Sequence, residues 1–429
     1  MGLLQGVLTA RALGPEGLGE YSALLVDVNL LTTLLALGLP GGLAVLSGET
    51  DRGSLFTLWA HGIRHVFAAL LLGSLIGLSL AVLAPSLLDE LLLSRSFPLL
   101  LVFCCVGQLG RDMHNALLWG RQRFSTQNRA GLLLSVLQLL VVSTLYVLGK
   151  LDVLYALTVQ TAAVWGLCIV FLVRLEIPFH RTKQTRSGTT PSEESNTSST
   201  PPIRRLYAVS LRNFFHILMD LLLYRIDVYL IALYVPAQTM RHDLGIYQAG
   251  VRIGELLLLI PGTLNAVLFA KAAAKESVVE QTLVCSKLSL YFGIAATVAM
   301  LVVGKPLLIL AYGERFSASF APCLLILCGT CVLCFSGPLA GSLSGAAGYP
   351  KSVIVAQGLA LGTNVGVNLV LLPRIGILGA AWASLLAYAV SSVCITAAFA
   401  RHFSIPLSTL FRPVSVLSLV KQHRKERAQ

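Results

Sequence analysis

Seven stretches of this sequence run for 20 residues or more without one Asp, Glu, Lys or Arg: 28–48, 65–88, 130–149, 153–173, 316–350, 352–373 and 375–400. A helix needs about 20 apolar residues to cross a bilayer core, so runs of this length write a membrane protein with many crossings. They are long, not short and alternating, which excludes a transmembrane β-barrel. Composition agrees: 12% of the 429 residues are charged, against about 25% in soluble domains, and the mean hydropathy is +0.78.

The pattern places eleven full spans at about 22–46, 64–86, 97–119, 130–149, 153–173, 206–233, 244–269, 287–304, 319–343, 352–372 and 376–400. Residues 3–10 (LLQGVLTA) are apolar but too short to cross. They lack the basic leader and small-residue cleavage pattern of a signal peptide, and read as the second half of a first span. The expected fold is therefore all-α and polytopic. A diverged internal repeat divides it. LGEYSA at 18–23 and LGIYQA at 244–249 each open a long apolar run, and each run carries a Pro-Gly, at Pro40-Gly41 and at Pro261-Gly262. Two copies of one membrane unit are expected, as in many transporters. The proline pair, lacking N–H groups, marks expected bends or flex points at repeat-related positions.

Between the copies, residues 175–205 are rich in Ser, Thr and Pro and read as a flexible linker. The organisation expected is an N-terminal lobe over 1–174, the linker at 175–205, a C-terminal lobe over 206–400 and a basic tail over 401–429. Of the 32 Lys and Arg residues, 21 fall in alternate loops, the linker and the tail, seven fall in the opposite loops, and four arginines lie inside spans. The positive-inside rule puts linker and tail in the cytoplasm. The net charge of +12 then reflects topology and anionic-lipid contact. No aromatic–basic platform accompanies it, so no nucleic-acid partner is expected. Asn196-Thr197-Ser198 matches a glycosylation sequon, which in a cytoplasmic linker is chance.

Two kinds of chemistry are suggested by the polar residues. Cys323, Cys328, Cys331 and Cys334 have the look of an iron–sulfur run, but they sit in an uncharged span and drift round one helix side. They read as buried apolar thiols. Charged residues inside spans carry more weight, because they are costly in lipid and face water-filled paths or one another. In the seventh span Arg212, His216, Asp220, Tyr224 and Asp227 lie within about 120° of helix circumference, with Arg225 off that stripe. The eighth span carries Gln248, Arg252 and Glu255 on one face, the last two spaced to pair. The fourth carries Gln108, Arg111, Asp112 and Asn115, and the second carries Asp27 and Asn29. All four intraspan bases are arginine, whose planar fork suits phosphate oxygens bidentately. The acids could carry protons or sodium, or neutralise the arginines. Arg–acid pairs that only tie helices together remain the structural alternative. No nucleophile–base pair, metal-ligand spacing or nucleotide-binding loop is present, so neither enzyme nor cofactor is expected.

ARALGPEGLGEYSALL at 10–25 resembles the segment after the first span in polysaccharide-transport proteins of the oligosaccharide flippase family, within the multidrug/oligosaccharidyl-lipid/polysaccharide exporter superfamily. YRIDVYLIALYV at 224–235, LGIYQAGVRIGELLLLIPGTL at 244–264, YGERFSASFAPCLLIL at 312–327, and GAAGYPKSVIVAQ with LLPRIGILGAAWASLLAYAV over 345–390 follow in the same order. The resemblance implies two six-helix lobes around a central cavity, with the first helix here truncated. It implies movement of polyprenyl-diphosphate-linked oligosaccharide, such as O-antigen units for lipopolysaccharide, across the inner membrane by alternating access. The partners implied are that cargo, membrane lipids and a polysaccharide polymerase with chain-length machinery. Substrate contacts are expected at Arg111, Tyr224, Arg225, Gln248 and Arg252, and ion coupling at Asp27, Asp220, Asp227 and Glu255. The alternatives are an ion-coupled multidrug or cation antiporter of the same superfamily and, behind it, a membrane-embedded sugar polymerase or ligase.

Overall fold

The computed structural model describes residues 2–49, 52–83, 98–121, 123–175, 203–273, 277–347 and 351–411. The linker beyond 175 and the tail beyond 411 lie outside the described residues, as do residues 84–97. Described residues fold into helices with short turns and no strand. In chain order they are α1 (Gly2–Ala36), α2 (Leu39–Glu49), α3 (Arg52–Leu83), α4 (Pro98–Gly120), α5 (Phe124–Val147), α6 (Val153–Arg174), α7 (Ile203–Tyr234), α8 (Ala237–Glu255), α9 (Leu259–Ala273), α10 (Val279–Tyr312), α11 (Phe320–Ala347), α12 (Lys351–Ile375), α13 (Ile377–His402) and the short α14 (Leu407–Phe411).

Among the described residues nine helices are long and apolar enough to cross a membrane. That is two fewer than the eleven spans read from the sequence, and the two not counted are α4 and α7. Residues 3–36 form one helix in which Gly14 (φ 66°, ψ −178°) turns the chain sharply between two helical segments. Pro15 follows it, where a first-turn residue needs no N–H donor. α4 is made less apolar by Gln108, Arg111, Asp112, His114 and Asn115, and α7 carries Asp220, Arg225 and Asp227 within its apolar stretch. The outward faces of the long helices are apolar: Leu301, Val302 and Leu310 of α10 are each more than 60% exposed, a surface suited to hydrocarbon.

Both Pro-Gly positions sit just beyond a helix break. The second span is split at Leu37 (φ 46°) and Gly38 (φ 71°), and α2 resumes at Leu39. A Cβ on Gly38 would also collide with the Ser210 carbonyl and the Phe214 backbone of α7. In the second copy α8 ends at Glu255, a 3₁₀ turn covers Leu256–Leu258, and α9 starts at Leu259. The missing N–H of Pro261 leaves the Leu257 carbonyl without its usual helical donor. The Cys334 thiol of α11 lies 3.9 Å from that oxygen, and Thr330, one turn earlier, donates to the Gly254 carbonyl at 3.0 Å. The expected bends are real; their position is a few residues before each proline.

Contacts divide the chain into two units, Met1–Leu221 and Leu222–Gln429, with the division inside the continuous helix α7. In the first unit Leu39, Leu43 and Leu46 of α2 pack with Leu55 and Leu58 of α3, Met113 and Leu117 of α4 and Phe171 of α6. The first half of α7 closes this unit through Leu206, Ser210 and Asn213 against Gly38, Gly41 and Gly42. The second unit is centred on α11, which packs against α9, α10 and α13. Its core holds Leu283, Phe335, Leu339, Leu343, Val353 and Phe399. The segment after α13 folds back on that core: Leu410 is fully buried, and Lys287 donates to the Thr409 carbonyl at 3.2 Å.

Candidate functional site

The second unit concentrates its buried polar chemistry where α7, α8, α12 and α13 meet. Asp227 of α7 is 2% exposed. A buried carboxylate is tolerated only with a full set of donors or a compensating charge, and Asp227 has donors from three helices. Tyr247 of α8 donates its hydroxyl to Oδ2 at 2.6 Å, Ser384 of α13 donates to the same oxygen, and Asn368 of α12 donates its Nδ2 to Oδ1 at 2.8 Å. Asn368 Nδ2 also lies 2.7 Å from Asn364 Oδ1. Two further buried amide atoms of this cluster, Asn364 Nδ2 and Asn368 Oδ1, make no hydrogen bond. The centre is thus one carboxylate held by two hydroxyl donors and one amide N–H donor, with spare polar capacity beside it. The four-residue spacing of Asn364 and Asn368 puts both on one face of an otherwise apolar helix.

Two residues earlier on α7, and so on another side of the helix, Arg225 forms a fork with Glu255 at the end of α8: Nη1 to Oε1 and Nη2 to Oε2, both 2.9 Å. The side chains are 27% and 19% exposed, so the pair is only partly closed over. The stripe reading put Arg225 off the polar face and offered Glu255 to Arg252; in the structure both Glu255 oxygens are held by Arg225. Helix α8 lies beside α7 with Glu255 at the right height, a relation no single-helix projection contains. Tyr224 packs its ring 5.5 Å from that of Tyr388 on α13. Gln248 is buried on α8, and Arg252 is half-buried on the same helix.

In the first unit the expected residues are placed separately. Arg111 grips its own neighbour Asp112 through Nε and Nη2, at 2.9 and 2.7 Å, with both side chains about one-third exposed or less. Asp27 is 1% exposed on α1. Near it Gln108 donates to Asn29 Oδ1 at 2.8 Å, linking α4 to α1. His114, also on α4, is buried between the indole N–H of Trp59 at 3.1 Å and the Gly110 carbonyl at 2.6 Å. Asp220 lies half-buried on the first-unit half of α7. Among the described residues no three His, Cys, Asp or Glu side chains gather as a metal site. The cysteine run is packed into the core at Cys323, Cys331 and Cys334, but Cys328 is exposed, a correction to the reading of four buried thiols.

Residues 1–270 match the polysaccharide biosynthesis protein family. The chain belongs to that family. No relative is found among curated proteins by sequence. Solved structures share the fold over nearly the whole chain. An inward-facing multidrug resistance MATE family transporter of the MOP superfamily aligns with a TM-score of 0.69 at 16% identity, covering 96% of this chain and 95% of that one. The lipid II flippase MurJ in an inward closed conformation aligns with a TM-score of 0.56 at 14% identity, over 95% of this chain and 86% of that chain. A point mutant of the Vibrio cholerae MATE transporter VcmN gives 0.55 at 15% identity, over 94% and 98%. This family member is therefore a multi-pass membrane protein with a MOP-type transporter fold, and the proteins it resembles are transporters and flippases, not enzymes.

Proposed function

We propose that this protein carries polyprenyl-diphosphate-linked oligosaccharide from the cytoplasmic to the outer leaflet of the inner membrane by alternating access, with linker and tail in the cytoplasm. The match of residues 1–270 to the polysaccharide biosynthesis protein family carries the reading. A diphosphate and its sugars cannot enter hydrocarbon unaided, because each unpaired buried charge costs several kcal/mol or more. Arg225 supplies a replacement for water. Its fork on Glu255 has the geometry of a bidentate arginine–phosphate pair, so a diphosphate can exchange with the carboxylate. Glu255 released in that exchange becomes a site for a proton, which links cargo arrival to ion uptake. Asp227 is the second coupling group in this proposal. Its hard oxygen neighbours Asn364, Asn368, Ser384 and Tyr247 suit a proton on the carboxylate or a sodium ion beside it. Arg111, Arg252, Tyr224 and Gln248 remain proposed cargo contacts, and Asp27 and Asp220 proposed coupling acids. An O-antigen cargo, lipopolysaccharide assembly, and a polymerase and chain-length partner extend the same proposal.

Purified protein in proteoliposomes tests it. A fluorescent polyprenyl-diphosphate oligosaccharide is followed for protection from an external quencher, with and without a proton or sodium gradient. Protein-dependent protection that a gradient accelerates is the expected result. A second reading, a cation or drug antiporter, is favoured by the MATE likeness at a TM-score of 0.69. Gradient-driven ethidium efflux with no movement of the lipid-linked sugar would establish that reading and sink the first.

A further inference from the structure

We infer that the second unit carries a dedicated site for an anionic phospholipid of the bilayer, separate from the Asp227 and Arg225 cluster. A groove of about 500 Å³ lies between the first two turns of α12 and the last two turns of α13, within the size range of small-ligand sites. Its walls are Val355 and Leu359 on one side and Ala397 on the other, with Ser352, Arg401 and His402 at one end. Seven residues separate Ser352 from Leu359, so the groove extends about 10 Å along the helix axis. That is a wall for the upper part of an acyl chain, closed at one end by polar and basic groups.

The charges say which lipid. Arg401 and His402 are exposed at the C-terminal end of α13, Lys351 is exposed beside Ser352 at the start of α12, and among the described residues no carboxylate pairs with them. Val355 and Leu359 are more than half exposed and present an apolar surface directly below. Cations over an exposed apolar cleft match an anionic headgroup with its chain, and a zwitterionic lipid gains less, since its own ammonium meets the same cations. The positive end of the α12 dipole adds to the attraction for a phosphate. The chain's own C-terminal segment is a poor competitor: residues 412–429 hold five Lys or Arg and a single Glu. This end of α12 and α13 is also the one that the distribution of basic residues assigns to the cytoplasmic leaflet, where anionic lipids concentrate.

The test uses the full chain in nanodiscs with phosphatidylglycerol or phosphatidylcholine, and native mass spectrometry to count retained lipids. The wild-type protein should retain at least one phosphatidylglycerol and exchange phosphatidylcholine freely. Arg401→Gln should weaken phosphatidylglycerol retention about fivefold, corresponding to about 1 kcal/mol for one basic residue at the surface. Ala397→Trp, at an exposed position, should block retention without changing thermal stability. A photoactivatable residue at Ala397 should capture phosphatidylglycerol. Equal retention of both lipids, unchanged retention in the two variants, or capture of residues 412–429 or of a second copy would each overturn the assignment.

Discussion

Asp227 and Arg225 are two residues apart and have been given opposite solutions to the same problem. Arg225 is matched by a full counter-charge, Glu255. Asp227 is met by the neutral donors Tyr247, Asn368 and Ser384. The difference makes separable predictions. Asp227→Asn keeps the size and some hydrogen bonding but removes the charge; gradient-accelerated transport should vanish while slow downhill exchange persists, read in the quencher assay. Tyr247→Phe removes one donor from a buried carboxylate and should cost about 1–3 kcal/mol of stability, read as a lower unfolding temperature in detergent. Arg225→Lys keeps the charge and loses the fork. It should slow transport more than tenfold with near-normal abundance, whereas Arg225→Ala strands Glu255 and should lower abundance as well. Full transport by Arg225→Lys would remove the bidentate exchange from the mechanism. Sequence alone singled out Asp227, Arg225 and Glu255 because charge in an apolar span is rare. It did not reveal what they touch, because Ser384 and Asn368 are more than 140 residues from Asp227 along the chain. Tyr247, Asn364, Asn368 and Ser384 were missed. Asn364 and Asn368, four apart in a span without charge, were the available signal.

At the scale of helices, the spacing of apolar residues was enough to find the spans, since length in lipid is a strong constraint. The breaks were legible too, through Pro40 and Pro261, but their register was not. It depends on which neighbouring side chain reaches the freed carbonyl, as Thr330 and Cys334 do for α8 and the turn after it. Packing of α11 against α9 depends on glycine in the same way. A Cβ on Gly345 would meet the Phe269 carbonyl and Ala272, while one on Gly366 of α12 would meet nothing within contact range. Gly345→Ala should therefore force two helices apart and lower folded yield severalfold. Gly366→Ala should be neutral or stabilising by up to about 1 kcal/mol, the helix propensity gain. Parallel thermal unfolding of the two variants checks this; equal effects would mean that the close helix approach contributes nothing.

Across the molecule, the repeat was visible as two similar strings, and the structure repeats the same device twice: a helix, a break, then Pro-Gly. The partition was less legible. The Ser- and Pro-rich linker drew the eye, yet contacts place the division at Leu221, within α7, because the first half of that helix is claimed by the small residues of α2. A helix continuous in sequence pattern gives no sign of which end belongs to which packing unit. Orientation is a prediction at this scale. With native cysteines replaced, Thr190→Cys should react with an impermeant maleimide only after the cells are opened, and Lys150→Cys should react in intact cells. The reverse labelling would invert the proposed transport direction.

The near-complete burial of Asp227 has a consequence for timing. A proton or ion bound there cannot trade places with solvent by simple diffusion; it has to wait until Tyr247, Ser384 or Asn368 lets go. In the proposed coupling role, occupancy at Asp227 would act as a short-lived memory of the last opening. It would keep the charge state acquired on one side long enough for the protein to act on it at the other. A leakier pocket with the same affinity would equilibrate at once and would dissipate a gradient instead of using it.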